Sequence, residues 1–180
     1  TVNGTNFIDG PEGDSVVNFN GLPKSTTFIS STKLTAVMLQ SDLAVTGFFP
    51  VTVTNPGPGG GTSNEKTFTV VNPVPTIASL NPEFVEVGSP GISLIITGTK
   101  FGLGSTVYFN NLPRVTALIP GSNLTKISAT IPSSEFTTVK SNIPVKVVNS
   151  APGGGESNIL FFSVIAPNLI PTITSISPES

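Results

Sequence analysis

The sequence predicts an all-β protein made of small repeated sandwiches, and three observations carry that expectation. The first is composition: charged residues are only 10% of the 180-residue chain, against about 25% in an average soluble domain, while hydrophobic residues stay at 37%. Thr, Ser and Asn fill the difference, with 18 Gly and 17 Pro, which is a palette of strands and turns. The second is an internal repeat, and the third is a series of short apolar runs separated by turn residues.

The repeat decides the organisation. Val51-Thr52-Val53-Thr54-Asn55-Pro56-Gly57-Pro58-Gly59-Gly60-Gly61-Thr62-Ser63-Asn64 returns as Val145-Lys146-Val147-Val148-Asn149-Ser150-Ala151-Pro152-Gly153-Gly154-Gly155-Glu156-Ser157-Asn158, and Gly4-Thr5-Asn6-Phe7 returns as Gly98-Thr99-Lys100-Phe101. Val17-Asn18-Phe19-Asn20 matches Val107-Tyr108-Phe109-Asn110 at a shorter offset, so the first copy carries extra residues between Phe7 and Ser15, the mark of a surface loop. Pro75-Thr76-Ile77-Ala78-Ser79-Leu80-Asn81-Pro82-Glu83 recurs as Pro171-Thr172-Ile173-Thr174-Ser175-Ile176-Ser177-Pro178-Glu179, a leader with no counterpart before the first copy. The expected division is therefore 1–73, a sandwich lacking its leading strand; 74–167, a complete sandwich; and 168–180, a connector plus the first strand of a third repeat. The opening Thr1-Val2-Asn3-Gly4 reads as the middle of a folded unit, so a segment of something longer is expected.

Within the complete copy, strands are expected at about 76–80, 92–97, 106–109, 114–119, 124–131, 143–149 and 159–164, with one helical turn in 133–140. Pro144-Val145-Lys146-Val147 and Lys126-Ile127-Ser128-Ala129 alternate with period two, giving each a core face and a water face. Asn20-Gly21 and Asn110-Asn111 are expected as two-residue type I′ hairpin turns, because Asn and Gly best tolerate positive φ. The glycine runs 59–61 and 153–155 are loops joining the last two strands of each copy. Val71-Asn72-Pro73-Val74-Pro75 and Ala166-Pro167-Asn168-Leu169-Ile170-Pro171 are expected as short, stiff connectors.

The order Pro-Thr-Ile-x-Ser-Leu-x-Pro, Ile95-Ile96-Thr97-Gly98-Thr99-Lys100-Phe101, Val107-Tyr108-Phe109-Asn110 and Val145-Lys146-Val147-Val148-Asn149, followed by Gly153-Gly154-Gly155-Glu156-Ser157-Asn158, resembles the IPT/TIG family of immunoglobulin-like domains. The resemblance implies tandem E-set type immunoglobulin-like sandwiches joined by short Pro-containing linkers. The family serves bacterial surface and secreted proteins, plexin and Met-type receptors, Rel-type transcription factors and relatives of cyclodextrin-forming amylases. Cysteine-free, Thr- and Asn-rich tandem copies look most like a bacterial cell-surface or secreted array, whose partners are neighbouring Ig-like domains and a protein or glycan ligand. Fold transfers with such a resemblance; activity does not.

Composition narrows the function classes. With no His and no Cys, histidine-based triads, cysteine nucleophiles and the usual zinc sites lose their essential atoms, and no disulfide can form. Eight basic residues scattered singly and a net charge of −2 give no stripe for phosphate neutralisation, so no nucleic-acid partner is expected. No apolar stretch approaches a membrane span. Ser30-Ser31-Thr32-Lys33 satisfies the Ser-x-x-Lys nucleophile pattern, but it opens a strand and no Lys-Thr-Gly partner follows. The glycine runs lack the Lys-Ser/Thr of a phosphate-binding loop. Asn3-Gly4-Thr5 and Asn123-Leu124-Thr125 are formal glycosylation sequons.

The expected function is a non-enzymatic extracellular spacer and interaction module, without catalytic or cofactor-binding residues. The alternatives are an accessory module of a secreted polysaccharide-processing enzyme and an adhesin domain with a protein ligand. Asp9, Glu12 and Asp14 in the inserted loop form a candidate Ca²⁺ site, since closely spaced carboxylates supply the oxygens a hard cation takes. Tyr108 is the candidate aromatic platform for a sugar, in a chain with one Tyr and no Trp. Phe19, Phe68, Phe109 and Phe162 are expected in the core. Phe48 and Phe161 are expected to point outward from the Phe-Phe pairs as contact residues. The unattached 171–180 leader is expected either to stay loose or to add to a neighbouring molecule's first copy.

Overall fold

The computed structural model describes residues 1–11 and 13–177, and it is all-β apart from two short 3₁₀ turns. The chain forms two compact units, Thr1–Asn72 and Pro73–Ser180. In the first unit the strands are β1 (Val2–Asn3), β2 (Val16–Phe19), β3 (Leu22–Pro23), β4 (Thr26–Ser30), β5 (Lys33–Ala36), β6 (Gly47–Asn55), β7 (Gly61–Thr62) and β8 (Lys66–Val70). One sheet runs β1-β5-β4; the other runs β3-β2-β6-β7 with β8 also on β6.

The second unit has β9 (Thr76–Asn81), β10 (Phe84–Glu86), β11 (Ile92–Thr99), β12 (Thr106–Phe109), β13 (Leu112–Pro113), β14 (Thr116–Leu118), β15 (Lys126–Ile131), β16 (Lys140–Asn149), β17 (Gly155–Glu156) and β18 (Leu160–Ile165). Its sheets run β14-β15-β11-β9 and β10-β18-β16-β12-β13, with β17 on β16. From β11 onward each strand matches one in the first unit. What the second unit adds is the pair β9 and β10, one on the edge of each sheet.

Period-two alternation builds the core. Val107, Phe109, Val145 and Val147 face inward from β12 and β16, and meet Leu94, Ile96, Ile127 and Ile131 from the opposite sheet. Phe162 is fully buried, with its ring centroid 5.3 Å from Phe109 and 6.1 Å from Phe136. The same alternation runs through the first unit, but there only Phe7, Val17, Leu34 and Val53 form the buried cluster. Phe68, the counterpart of Phe162, is 43% exposed, which corrects its expected place in the core. The physical reason is cover: β10 lies along β18 and Val85 and Val87 pack against the core, whereas among the described residues no strand lies along the outer edge of β8.

The hairpin turns take the expected conformation, with φ of 50° and 76° at Asn20 and Gly21 and 53° and 62° at Asn110 and Asn111. Two strands are shorter than their apolar runs. β15 starts at Lys126 because Gly121, Asn123 and Leu124 all have positive φ, which turns the chain out of extended geometry. β14 covers only Thr116–Leu118, and the helical turn only Ser133–Phe136, since β16 already begins at Lys140. β10, β13 and β17 are too short to leave a periodic signal.

These burial differences set an unequal response to truncation. Phe162→Ala is expected to cost about 3–5 kcal/mol, as for a large buried aromatic, and Phe68→Ala less than half as much; urea denaturation of the two variants measures both.

Candidate functional site

The site that stands out is an open groove in the first unit, and it is built from residues the repeat already paired. Ser15 is buried, accepts a hydrogen bond from the Ile8 N–H at 2.8 Å, and donates to Asn55 Oδ1 at 2.6 Å. Ser105 does the same in the second unit, accepting from the Gly102 N–H at 2.7 Å and donating to Asn149 Oδ1 at 2.5 Å. The first-copy insertion is thus looped out between two anchored ends. Each Asn then donates across to a neighbouring loop, Asn55 to the Asn6 carbonyl at 2.7 Å and Asn149 to the Lys100 carbonyl at 2.8 Å. Asn6 and Lys100 share a φ of 61°.

A second polar anchor sits after each glycine loop. Ser63 accepts from the Val53 N–H and donates to the Asn64 carbonyl; Ser157 accepts from Val147 and donates to the Asn158 carbonyl. The two units differ in what the asparagines hold. Asn158 accepts from the Ile77 N–H and donates to the Ile77 carbonyl, both at 2.9 Å, clamping β9 by its backbone. Asn149 gives its second amide hydrogen to the Pro73 carbonyl, also at 2.9 Å. In the first unit the Asn64 amide makes a long 3.5 Å contact to the Glu65 carbonyl.

A groove of about 670 Å³ runs from Val2 on β1 and Gly4 just after it to Val53 on β6 and to Asn64. A smaller hollow of about 280 Å³ continues it past Val2 and Val51 to Phe19 and Phe68. Val2, Phe7, Val51 and Val53 are the apolar lining of the larger groove, and Asn3, Thr5, Asn6, Asn55, Thr62, Ser63, Asn64 and Lys66 make the rest of it largely polar.

The sequence-predicted residues fall elsewhere. Tyr108 lies on the outer face of β12, half-buried, with Lys146 Nζ 5.8 Å above its ring centre and Lys146 paired to Glu156 at 2.6 Å. Phe48 and Phe161 do point outward, at 69% and 59% exposure, while their neighbours turn in. Ser30 and Lys33 sit at either side of the tight β4–β5 turn, where Ser30 Oγ meets Thr32 Oγ1. Lys24 pairs with Asp42 at 2.5 Å above the Phe19 ring, and Arg114 pairs with Glu135 above Phe109. Recurring in both units, these pairs tie each hairpin to its 3₁₀ turn.

Of the proposed calcium ligands, Glu12 lies outside the described residues. Asp9 and Asp14 do meet: the hydrogen bond that a protonated Asp9 carboxyl donates to the Asp14 carboxylate, and then the charge of Asp14, hold the Asp9 pKa above the ordinary carboxylate value. No group of three or more acidic ligands gathers among the described residues.

Comparison with known proteins now has a geometry to stand on. Residues 1–70 match the IPT/TIG domain family. IPT/TIG domains are in general non-catalytic Ig-like interaction modules, and the match spans the unit that carries the groove. Among solved structures, the plexin A4 full extracellular region, domains 1 to 10, aligns over 98% of this chain at 17% identity with a TM-score of 0.32. The chain spans 16% of that protein's length. No curated protein matches the chain. No helix among the described residues is long and apolar enough to cross a membrane.

The acid pair makes a signed prediction. A folded-state pKa raised above the unfolded value means the folded loop binds the Asp9 proton more tightly, so the pair's contribution to stability falls as pH rises from the ordinary carboxylate value through the raised one. Asp14→Asn is expected to bring Asp9 down to the ordinary range and to remove that slope, read by carboxyl NMR titration.

Proposed function

We propose that the chain is a non-enzymatic extracellular structural and interaction module, a segment of a tandem immunoglobulin-like array in a bacterial cell-surface or secreted protein. In this reading its sandwiches, divided at 1–73 and 74–167 with 168–180 opening a third repeat, space or present other domains. Binding is carried by loops and sheet edges on a rigid scaffold. The supporting observation is the IPT/TIG match over 1–70, together with a second unit that reproduces the same strands and the same Ser–Asn anchors. Three of the eight basic residues, Lys24, Arg114 and Lys146, are already held in ion pairs, which weighs against a nucleic-acid partner. Tyr108 beneath Lys146 weighs against a glycan-binding accessory role.

The reading is tested by a glycan array and by location. An antibody against the chain is expected to label intact, unpermeabilised cells of the organism that makes it, and the chain to bind no glycan. Glycan binding abolished by Tyr108→Ala, or labelling only after permeabilisation, overturns the proposal.

A further inference from the structure

We infer that the outer edge of β4 is a strand-pairing site and that its occupant is the same strand of a second copy of this chain. β4 ends the sheet β1-β5-β4, so among the described residues one side of it carries no neighbouring strand. The register shows which groups face that side. Thr26 pairs with Ala36, Thr27 with Thr35 and Phe28 with Leu34, and the Val37 N–H donates to the Ser25 carbonyl at 2.9 Å. Backbone direction alternates along an antiparallel ladder, so Ser25 and Thr27 bond toward β5, and Thr26 and Phe28 turn their N–H and carbonyl groups to the open side. Side chains alternate as well. Phe28 leans onto the core, while Thr27 and Ile29 stand outward, Ile29 at 53% exposure.

Sheet edges in proteins are blunted by charge, by proline or by shortness. β4 has none of these. Between Lys24 and Lys33, the run Ser25-Thr26-Thr27-Phe28-Ile29-Ser30-Ser31-Thr32 holds no charged residue, no Pro and no Gly, and it is rich in β-branched and aromatic residues. The bulge between Phe28 and Ser30 bends the end of the strand and leaves Thr26–Phe28 regular. The second unit treats the equivalent edge differently. Thr116 Oγ1 accepts from the Val107 N–H as Thr26 Oγ1 accepts from that of Val17, which fixes β14 as the counterpart of β4. β14 stops after Leu118, the chain turns at Ile119–Ser122 with the Ser122 N–H on the Ile119 carbonyl, and Pro120 in that turn has no N–H to offer.

The occupant follows from the strand's own symmetry. The regular part of the edge offers its open groups on Thr26 and Phe28, two residues apart, and an antiparallel copy meets both at once only when Thr26 of each chain faces Phe28 of the other. That register makes about four main-chain hydrogen bonds around a two-fold axis through Thr27. On the axis the two Thr27 side chains form a non-hydrogen-bonded pair with Cα atoms about 4.5 Å apart, where threonine hydroxyls bond across the strands. No charges are brought together, and the sheet runs on without a break from one copy into the next. A two-fold contact closes on itself, so association stops at the dimer. The contact is a single pair of short strands, which places it among the small, transient interfaces.

Sedimentation velocity of the 180-residue chain, over about 5 to 500 μM to span micromolar affinities, is expected to show the weight-average sedimentation coefficient climbing from the monomer value toward that of a dimer. Thr27→Lys sets two ammonium groups face to face on the axis and is expected to stay monomeric throughout, as is Thr27→Glu, while an equimolar mixture of the two variants is expected to dimerise again. The chain has no cysteine, so Thr27→Cys reads the register. Its Cα separation across the axis lies in the disulfide range, and air oxidation is expected to link it into dimers about tenfold faster or more than Ala117→Cys, the exposed counterpart on β14. A chain that stays monomeric, association untouched by Thr27→Lys, or equal cross-linking of the two cysteine variants overturns the inference. Growth beyond the dimer overturns the two-fold register. None of these outcomes bears on glycan binding or cell-surface location, so the inference stands or falls apart from the proposed function.

Discussion

A sandwich of two short sheets keeps water from its interior only if the outermost strand on each side is itself covered, and in this chain that cover is the leading segment. In the second unit β9 and β10 lie on opposite sheets, and together they turn Ile77, Leu80, Val85 and Val87 toward the core and close the space over Phe162. Each fully buried aliphatic side chain of this kind is worth about 1.5–3 kcal/mol. In the first unit the buried cluster among the described residues is smaller, and Phe68 lines a hollow. The difference between the units is therefore not one of strand propensity.

The loops around the first unit's sheets are held in shape by polar anchors within that unit. Ser15 and Asn55 hold the loop after β1, and Ser63 fixes the backbone that carries Asn64. Buried hydroxyls and amides of this kind are costly unless satisfied, and here they are satisfied locally, by groups a few ångströms away in the same unit. The ion pairs above Phe19 and Phe109 belong to the same class of local fastening, at the other end of each hairpin.

Much of this was legible along the chain. The repeated strings placed corresponding strands in both halves, and Asn20-Gly21 and Asn110-Asn111 announced their turns, because positive φ is a demand only a few residues meet. Phe48 and Phe161 point outward because adjacent strand residues must face opposite sides. Phe68 was misplaced for the opposite reason: its local pattern matches that of Phe162, and nothing in the pattern states whether another strand lies above it. The Lys146 ammonium near the Tyr108 ring comes from a strand nearly forty positions later, so no local pattern announces it. The paired uses of Asn55 and Asn149, and of Asn64 and Asn158, carried a signal in the repeat itself, but their partners lie far away in sequence.

Periodicity, turn chemistry and self-similarity are properties of neighbouring residues, so the amino-acid order alone determined the all-β class, the strands, the hairpins and the correspondence between the halves. Whether an edge is covered, which ring is shielded by a lysine and which asparagine has a backbone to clamp are contacts between distant parts of the chain. Those were decided only when the sheets packed, because burial and hydrogen-bond partnership depend on what lies across the interior and not on what comes next in sequence.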